Sequence, residues 1–444
     1  MSRLIIVSNR VSYPTKRQNS SAGGLAITLQ MALQKRGGFW FGWSGSTYED
    51  FSPDTDQITN NNIDYVLLHL SSKQIKNYYY GFSNSVLWPL CHYRQDLIKY
   101  SHKDYNTYIE VNKLFATNLV PYLKKNDVIW VHDYHLIPLA SELRKLGVQN
   151  PIGFFLHVPF PCYDIFCAAP PYKELLSSLC EYNLLGFQTK NDENNFLSCV
   201  NNTKIKTGVF PATVDSKVFE KFSQMKLPKE TWQHLAAQLK QHILTIGVDR
   251  LDYSKGIIHR LQIYEQFLAK HKNYAEKIKF LQITPKSRSD IDDYQKIQQE
   301  VAEQTGKING RFSTLNWAPI TYINKNIEQS TLSLLYRHAK IAMVTPMRDG
   351  MNLVAKEYIA SQDPTDPGVL ILSHFAGAAK HLDSALLINP LDTQDCVKAL
   401  ETAISMPLCE RIERWQPMKK YIDEHNTEQW CNSFLNTLQH TQCY

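Results

Sequence analysis

One stretch of the sequence gathers several chemically capable residue types: Thr345-Pro346-Met347-Arg348-Asp349-Gly350-Met351-Asn352-Leu353-Val354-Ala355-Lys356-Glu357-Tyr358. It follows an apolar, β-branched run and enters a helical pattern through Asp-Gly. The start of a helix leaves backbone N–H groups without intrahelical partners and carries a partial positive charge, so Gly350, Met351, Asn352, Leu353 and Val354 can offer donors to an anion. Glu357 falls about two turns on, on nearly the same face as Asp349 and Gly350. A carboxylate there can accept both hydroxyls of a ribose whose diphosphate rests on the helix start. An ordinary surface glutamate satisfies the same spacing, and the weight comes from the company it keeps.

Asp249-Arg250-Leu251-Asp252-Tyr253-Ser254-Lys255-Gly256 follows another apolar run. Arg250 and Lys255 on one loop can converge on a diphosphate, the arginine as a planar fork and the lysine as a compact charge; a solvated, salt-bridged loop is the plainer alternative. Thr284-Pro285-Lys286-Ser287-Arg288 repeats the cationic strand end. Near the start, Ser8-Asn9-Arg10 precedes Ser20-Ser21-Ala22-Gly23-Gly24-Leu25, where paired glycines at the opening of a helix either bind an anion or simply make a tight, serine-capped turn. His132-Asp133-Tyr134-His135 crowds the end of a buried strand, and Asp133 there can hold two sugar hydroxyls or cap the next helix. His157 stands before the proline-stiffened Val158-Pro159-Phe160-Pro161.

Elements that alternate between short β-rich runs and longer helical spacing must position these residues, which is the pattern of parallel βα units. Strands are expected at 4–7, 128–131, 152–156, 184–187 and 207–210, and in a second series at 243–248, 278–283, 341–344, 369–372 and 386–388. Two doubly wound sheets account for this better than one. The boundary falls near Thr213, in Pro211-Ala212-Thr213-Val214-Asp215, dividing residues 1–213 from 214–444. Doubly wound sheets bind ligands at the carboxyl ends of their strands, so the active site is expected in a cleft between the two domains.

Composition describes a soluble globular chain and excludes other classes. The 444 residues are 43% hydrophobic and 20% charged, which leaves out disorder and coiled coil. No apolar run reaches the roughly 20 residues of a membrane-spanning helix, and the first residues lack a signal-peptide pattern, so a cytoplasmic protein is expected. Nine cysteines without any C-x-x-C suggest reduced thiols rather than disulfides or zinc. A net charge of +6, dispersed along the chain, speaks against nucleic acid and suits a local cationic site for phosphorylated small molecules.

With these residues assembled, the chain resembles the trehalose-6-phosphate synthase family of retaining glucosyltransferases (glycosyltransferase family 20). The resemblance runs from Ser8-Asn9-Arg10 and Phe41-Gly42-Trp43-Ser44-Gly45, through Phe82-Ser83-Asn84-Ser85-Val86-Leu87-Trp88-Pro89, to Asp349-Gly350-Met351-Asn352-Leu353-Val354. It implies a GT-B architecture of two Rossmann-like domains: an N-terminal one for the acceptor and a C-terminal one for the nucleotide sugar, its last helix packing back on the first.

The resemblance further implies that Arg10, Tyr79, Trp88 and Arg288 surround glucose-6-phosphate, with the two arginines at its phosphate, while Trp43 lines the pocket and Asp133 holds sugar hydroxyls. On the donor side it places His157 at the transferred glucose, Arg250 and Lys255 at the diphosphate, and Glu357 at the ribose. Asp349 and the amides of Gly350 to Val354 face the glucose, and Gly24 sits beside the phosphates. The implied reaction takes UDP-glucose and glucose-6-phosphate to trehalose-6-phosphate and UDP with retention. Catalysis rests on Arg250, Lys255, Asp133 and His157 without a metal or other cofactor, in a homo-oligomer, dimer or tetramer. Thr213 departs from the family, which usually has a glycine there; a positive φ would strain it. Two competing readings are weaker. A sugar-phosphate sensor would not need both halves of the site, and a nicotinamide dehydrogenase would need a G-x-G-x-x-G. Glycerol-3-phosphate as acceptor and another nucleobase in the donor stay open.

Overall fold

The computed structural model describes residues 2–13, 24–48, 55–60, 62–200, 205–225, 241–285 and 292–440. Arg288 and Lys286 lie outside them. The chain divides into two units, one of Met1–Ala212 with Thr427–Tyr444 and one of Thr213–Asn426.

The first unit is built on an eight-stranded sheet. Its strands are β1 (Leu4–Arg10), β2 (Gly38–Tyr48), β3 (Thr55–Asn60), β4 (Ile63–Ser71), β5 (Val128–His132), β6 (Ile152–Phe155), β7 (Leu184–Phe187) and β8 (Lys206–Val209). They are ordered β3-β4-β2-β1-β5-β6-β7-β8. All neighbours are parallel except the β3–β4 hairpin. Leu4 to Val7 are at most 1% exposed, as befits a strand covered on both faces, which needs unbroken rather than alternating apolar residues. Because β1 has β2 on one side and β5 on the other, the strand order reverses between β1 and β5, which is the topological switch point of this sheet.

The helix Thr427–Gln439 packs on this sheet although more than 200 residues of sequence precede it in the other unit. Phe434 stacks on Trp130 at 4.7 Å and meets Phe210 edge-on at 5.1 Å, and Trp430 donates its indole N–H to the Phe210 carbonyl at 2.9 Å. Glycines make the room: a Cβ at Gly153 or Gly186 would come within 2.7 Å of the Phe434 ring.

The second unit holds six strands: β9 (Ile243–Val248), β10 (Ile278–Ile283), β11 (Ile320–Ile323), β12 (Ile341–Val344), β13 (Val369–Ser373) and β14 (Leu386–Ile388). Their order is β11-β10-β9-β12-β13-β14, parallel throughout. The order reverses between β9 and β12, so the loops after these two strands line that unit's crevice. Leu261, Tyr264 and Phe267 of helix Ile257–Lys270 join Phe280, Met343 and Leu400 in its core.

Several elements were not anticipated from sequence: β2, β4, β11, and the helix Ile75–Leu87, which winds in wide π-type turns. Thr213 does not take up a positive φ, so a threonine in place of the usual glycine strains nothing there. Among the described residues the cysteines are free thiols, and no helix is long and apolar enough to cross a membrane.

Candidate active site

In the first unit, Arg10 ends β1 opposite Trp43 of β2, and its guanidinium lies 5.9 Å from the Trp43 ring centroid. Gly45 has φ +87°, and a Cβ there would sit 2.5 Å from Arg10 Nε; glycine therefore serves both the turn and the arginine. Trp43 in turn contacts Tyr79 at 6.3 Å, and Tyr79 stacks on His135 at 5.6 Å and 12°. Tyr79 is carried by the π-type helix, whose five-residue repeat is visible where Trp88 N–H bonds to Ser83 carbonyl. Asn84 donates to the Tyr79 carbonyl at 2.8 Å and accepts from Tyr134 Oη at 2.8 Å. Arg10, Trp43 and Tyr79 are thus brought together directly. Trp88, 4% exposed, joins them through Tyr134 at 5.9 Å.

Asp133 leaves β5 with φ +76° and ψ 164°, a conformation costly for a non-glycine residue and concentrated at functional sites. Its backbone N–H bonds to Phe155 carbonyl at 2.9 Å, and its carboxylate accepts the His157 backbone N–H at 3.3 Å. The Asp133 and His157 loops are therefore tied to each other. His157 shares a 3.1 Å hydrogen bond with buried His132, and burial pushes the His157 imidazolium down to about 3. Gly24 opens the helix Gly24–Arg36.

In the second unit, Lys255 Nζ meets Asp349 Oδ2 at 2.5 Å, and Asn352 Nδ2 donates to the same oxygen at 3.0 Å. Asn352, with φ +74°, caps helix Leu353–Ser361 by accepting the Ala355 N–H. The N–H groups of Leu353 and Val354 stand in the first turn, where the helix has no carbonyl for them. Glu357, on the same helix, accepts a 3.4 Å hydrogen bond from Tyr336 Oη; burial pushes its carboxyl up to about 7. Arg250, at the end of β9, is exposed.

Residues that sequence reasoning passed over hold this loop in place. Arg260 is fully buried and pairs with Asp249 at 2.5 Å, while its Nε donates to Thr345 Oγ1 at 2.9 Å. One side chain so joins the ends of β9 and β12. Asp252, also fully buried, takes Ser254 N–H at 2.9 Å and Tyr294 Oη at 3.0 Å. Gly256 has φ +62°, and a Cβ on it would lie 2.1 Å from Thr345 carbonyl oxygen. Among the described residues no group of three or more His, Cys, Asp or Glu is placed to hold a metal ion.

The pattern of glycosyltransferase family 20 matches residues 2–440. A trehalose-6-phosphate synthase of Sinorhizobium fredii is 45% identical over 456 residues, covering 99% of this chain and 98% of its own. Among solved structures, an α,α-trehalose-phosphate synthase (UDP-forming) from Burkholderia xenovorans in complex with glucose-6-phosphate superposes with a TM-score of 0.94 at 41% identity, covering 99% of this chain and 100% of its own. One from E. coli bound with UDP-2-fluoro glucose gives 0.93 at 42% identity, with 100% of each chain covered.

Proposed function

From the premise that this chain belongs to glycosyltransferase family 20, with the GT-B architecture, we propose how its residues carry out the family's reaction. The chain is a UDP-forming retaining glycosyltransferase, an α,α-trehalose-6-phosphate synthase that moves glucose from UDP-glucose to glucose-6-phosphate. The observation that carries the assignment of residues is the Lys255–Asp349 pair at the head of the helix bearing Glu357.

On this reading the second unit binds the donor. Arg250 and Lys255 take the diphosphate, Glu357 accepts the ribose hydroxyls, and Asp349 with the amides of Gly350 to Val354 faces the glucose. The first unit binds the acceptor, with Arg10 at the phosphate, aided by Arg288, and with Trp43, Tyr79 and Trp88 as apolar walls. Asp133 holds sugar hydroxyls, His157 touches the transferred glucose, and Gly24 lies by the donor phosphates.

Retention without a carboxylate nucleophile follows from a front-face course. The acceptor hydroxyl attacks on the side of the departing UDP and its proton passes to the leaving phosphate oxygen. Charge grows on that diphosphate as the glycosidic bond breaks, and fixed cations stabilise it most in the transition state. Arg250 and Lys255 supply those charges, so the proposal needs no metal ion. It extends to a homo-oligomer, as the resemblance implies, and to a cytoplasmic location.

Incubating the purified protein with UDP-, ADP- and GDP-glucose against glucose-6-phosphate and glycerol-3-phosphate tests the assignment. UDP release dependent on glucose-6-phosphate, with a disaccharide phosphate by mass, is expected. Release independent of any acceptor would contradict it.

A further inference from the structure

His132 and His157 form an imidazole pair. His132 Nδ1 and His157 Nε2 are 3.1 Å apart, with rings stacked at 5.3 Å and 24°. Trp130 at 4.6 Å and Phe155 at 6.5 Å pack on His132, which is only 2% exposed. Burial pushes both imidazolium forms well below the usual histidine range, and for His132 the neighbouring His157 adds to this. Each ring is therefore neutral near pH 7 and carries one N–H.

The shared hydrogen bond then has two possible directions. If His157 donated from Nε2, His132 would keep its own proton on Nε2. That atom is buried without a hydrogen-bond partner among the described residues, and an orphaned buried donor is costlier than an unfilled acceptor lone pair. If His132 donates from Nδ1, its Nε2 is left only as a lone pair. We propose that His132 is a positioning residue that donates to His157 Nε2 and so locks His157 in its Nδ1–H tautomer. The ring nitrogen left for a ligand is then an obligate donor, suited to a hydroxyl oxygen of the transferred sugar. This last step rests on the placing of His157 against the donor glucose proposed above; the tautomer itself does not. The partner of a functional imidazole commonly fixes which nitrogen bears the proton, usually as a carboxylate or carbonyl; here a second histidine does so.

The test is ¹⁵N-histidine NMR on the full-length protein near pH 7, with His132→Leu and His132→Asn beside the wild type. Wild-type His157 should show a protonated Nδ1 and an unprotonated Nε2. His132→Asn, whose side-chain amide can place an N–H near the position of Nδ1, should keep that state, and His132→Leu should lose it. Loss of one oriented hydrogen bond should lower kcat/KM for UDP-glucose about tenfold in His132→Leu, with UDP affinity unchanged and most activity recovered in His132→Asn. A wild-type His157 protonated on Nε2 overturns the proposal. The expected tautomer with unaltered donor kinetics in His132→Leu overturns instead the placing of His157 against the sugar.

Discussion

Lys255 and Asp349 stand 94 residues apart in the chain, yet Lys255 Nζ lies 2.5 Å from Asp349 Oδ2. The loops after β9 and β12 meet there, stitched by Met347 N–H to Ser254 carbonyl at 2.7 Å. On the reading proposed above, a cation held in this way is preorganised for the leaving diphosphate, which is where fixed charge contributes most to catalysis.

Lys255→Ala and Arg250→Ala should each lower kcat more than they weaken glucose-6-phosphate. A charge-assisted contact is worth about 1.5–3 kcal/mol, or about 10- to 150-fold in rate. Steady-state kinetics with each substrate varied will separate the two effects. An equal rise in acceptor KM without loss of kcat would remove these residues from the leaving-group side.

The acceptor side can be probed without touching a charge. Gly45→Ala forces a Cβ against Arg10 Nε and onto a φ of +87°, so it should displace the guanidinium much as Arg10→Ala deletes it. Both variants should weaken glucose-6-phosphate by roughly 1.5–3 kcal/mol and leave UDP affinity intact. Calorimetric titration of each ligand checks this, and a parallel loss for UDP would contradict it.

Glu357 gives a pH dependence with a defined sign. Its folded-state value of about 7 exceeds the 4.5 of a free glutamate because of burial, partly opposed by Tyr336. The native state therefore holds an extra proton between those values, and that contribution to stability is complete below about 4.5 and lost as pH rises through about 7. UDP binding should run the other way if, as proposed, ribose hydroxyls donate to the ionised carboxylate. UDP affinity should rise through about pH 7 in the wild type and lose that rise in Glu357→Gln. Lys356, pushed down to about 7 by burial, sheds charge in the same window, and the comparison with Glu357→Gln subtracts it.

Phe434→Ala should cost about 3–5 kcal/mol of folding stability, the range for deleting a buried aromatic side chain. It would empty the space between Trp130, Phe155 and Phe210. Denaturant unfolding followed by fluorescence measures this; a loss under 1 kcal/mol would mean the C-terminal helix is not essential to that unit's core.

The candidate residues were easier to read from sequence than the side chains that support them. Glu357 was expected on a helix from its spacing after Asp349 and Gly350, and it does lie on one, although that helix begins only at Leu353, after Gly350. Tyr79 and Trp88 instead sit on or beside π-type turns, whose spacing no 3.6-residue pattern reveals, and only the family resemblance pointed to them. Strand β2 reads Gly-Phe-Trp-Phe-Gly-Trp-Ser-Gly, and its glycines and serines mask a strand that is buried through pairing on both sides. Arg260 looks like any exposed helical arginine until Asp249 and Thr345, on two other segments, enclose it. Trp430 and Phe434 follow the whole second unit in sequence, so nothing local ties them to Trp130.

The most direct measurement is an NMR assay of the purified protein with UDP-[1-¹³C]glucose and glucose-6-phosphate. Both anomeric couplings of the product should report α linkages, with the label in the unphosphorylated ring and UDP released in equal amount. A β coupling at the labelled carbon, or label appearing only as free glucose, would contradict retaining transfer by this chain.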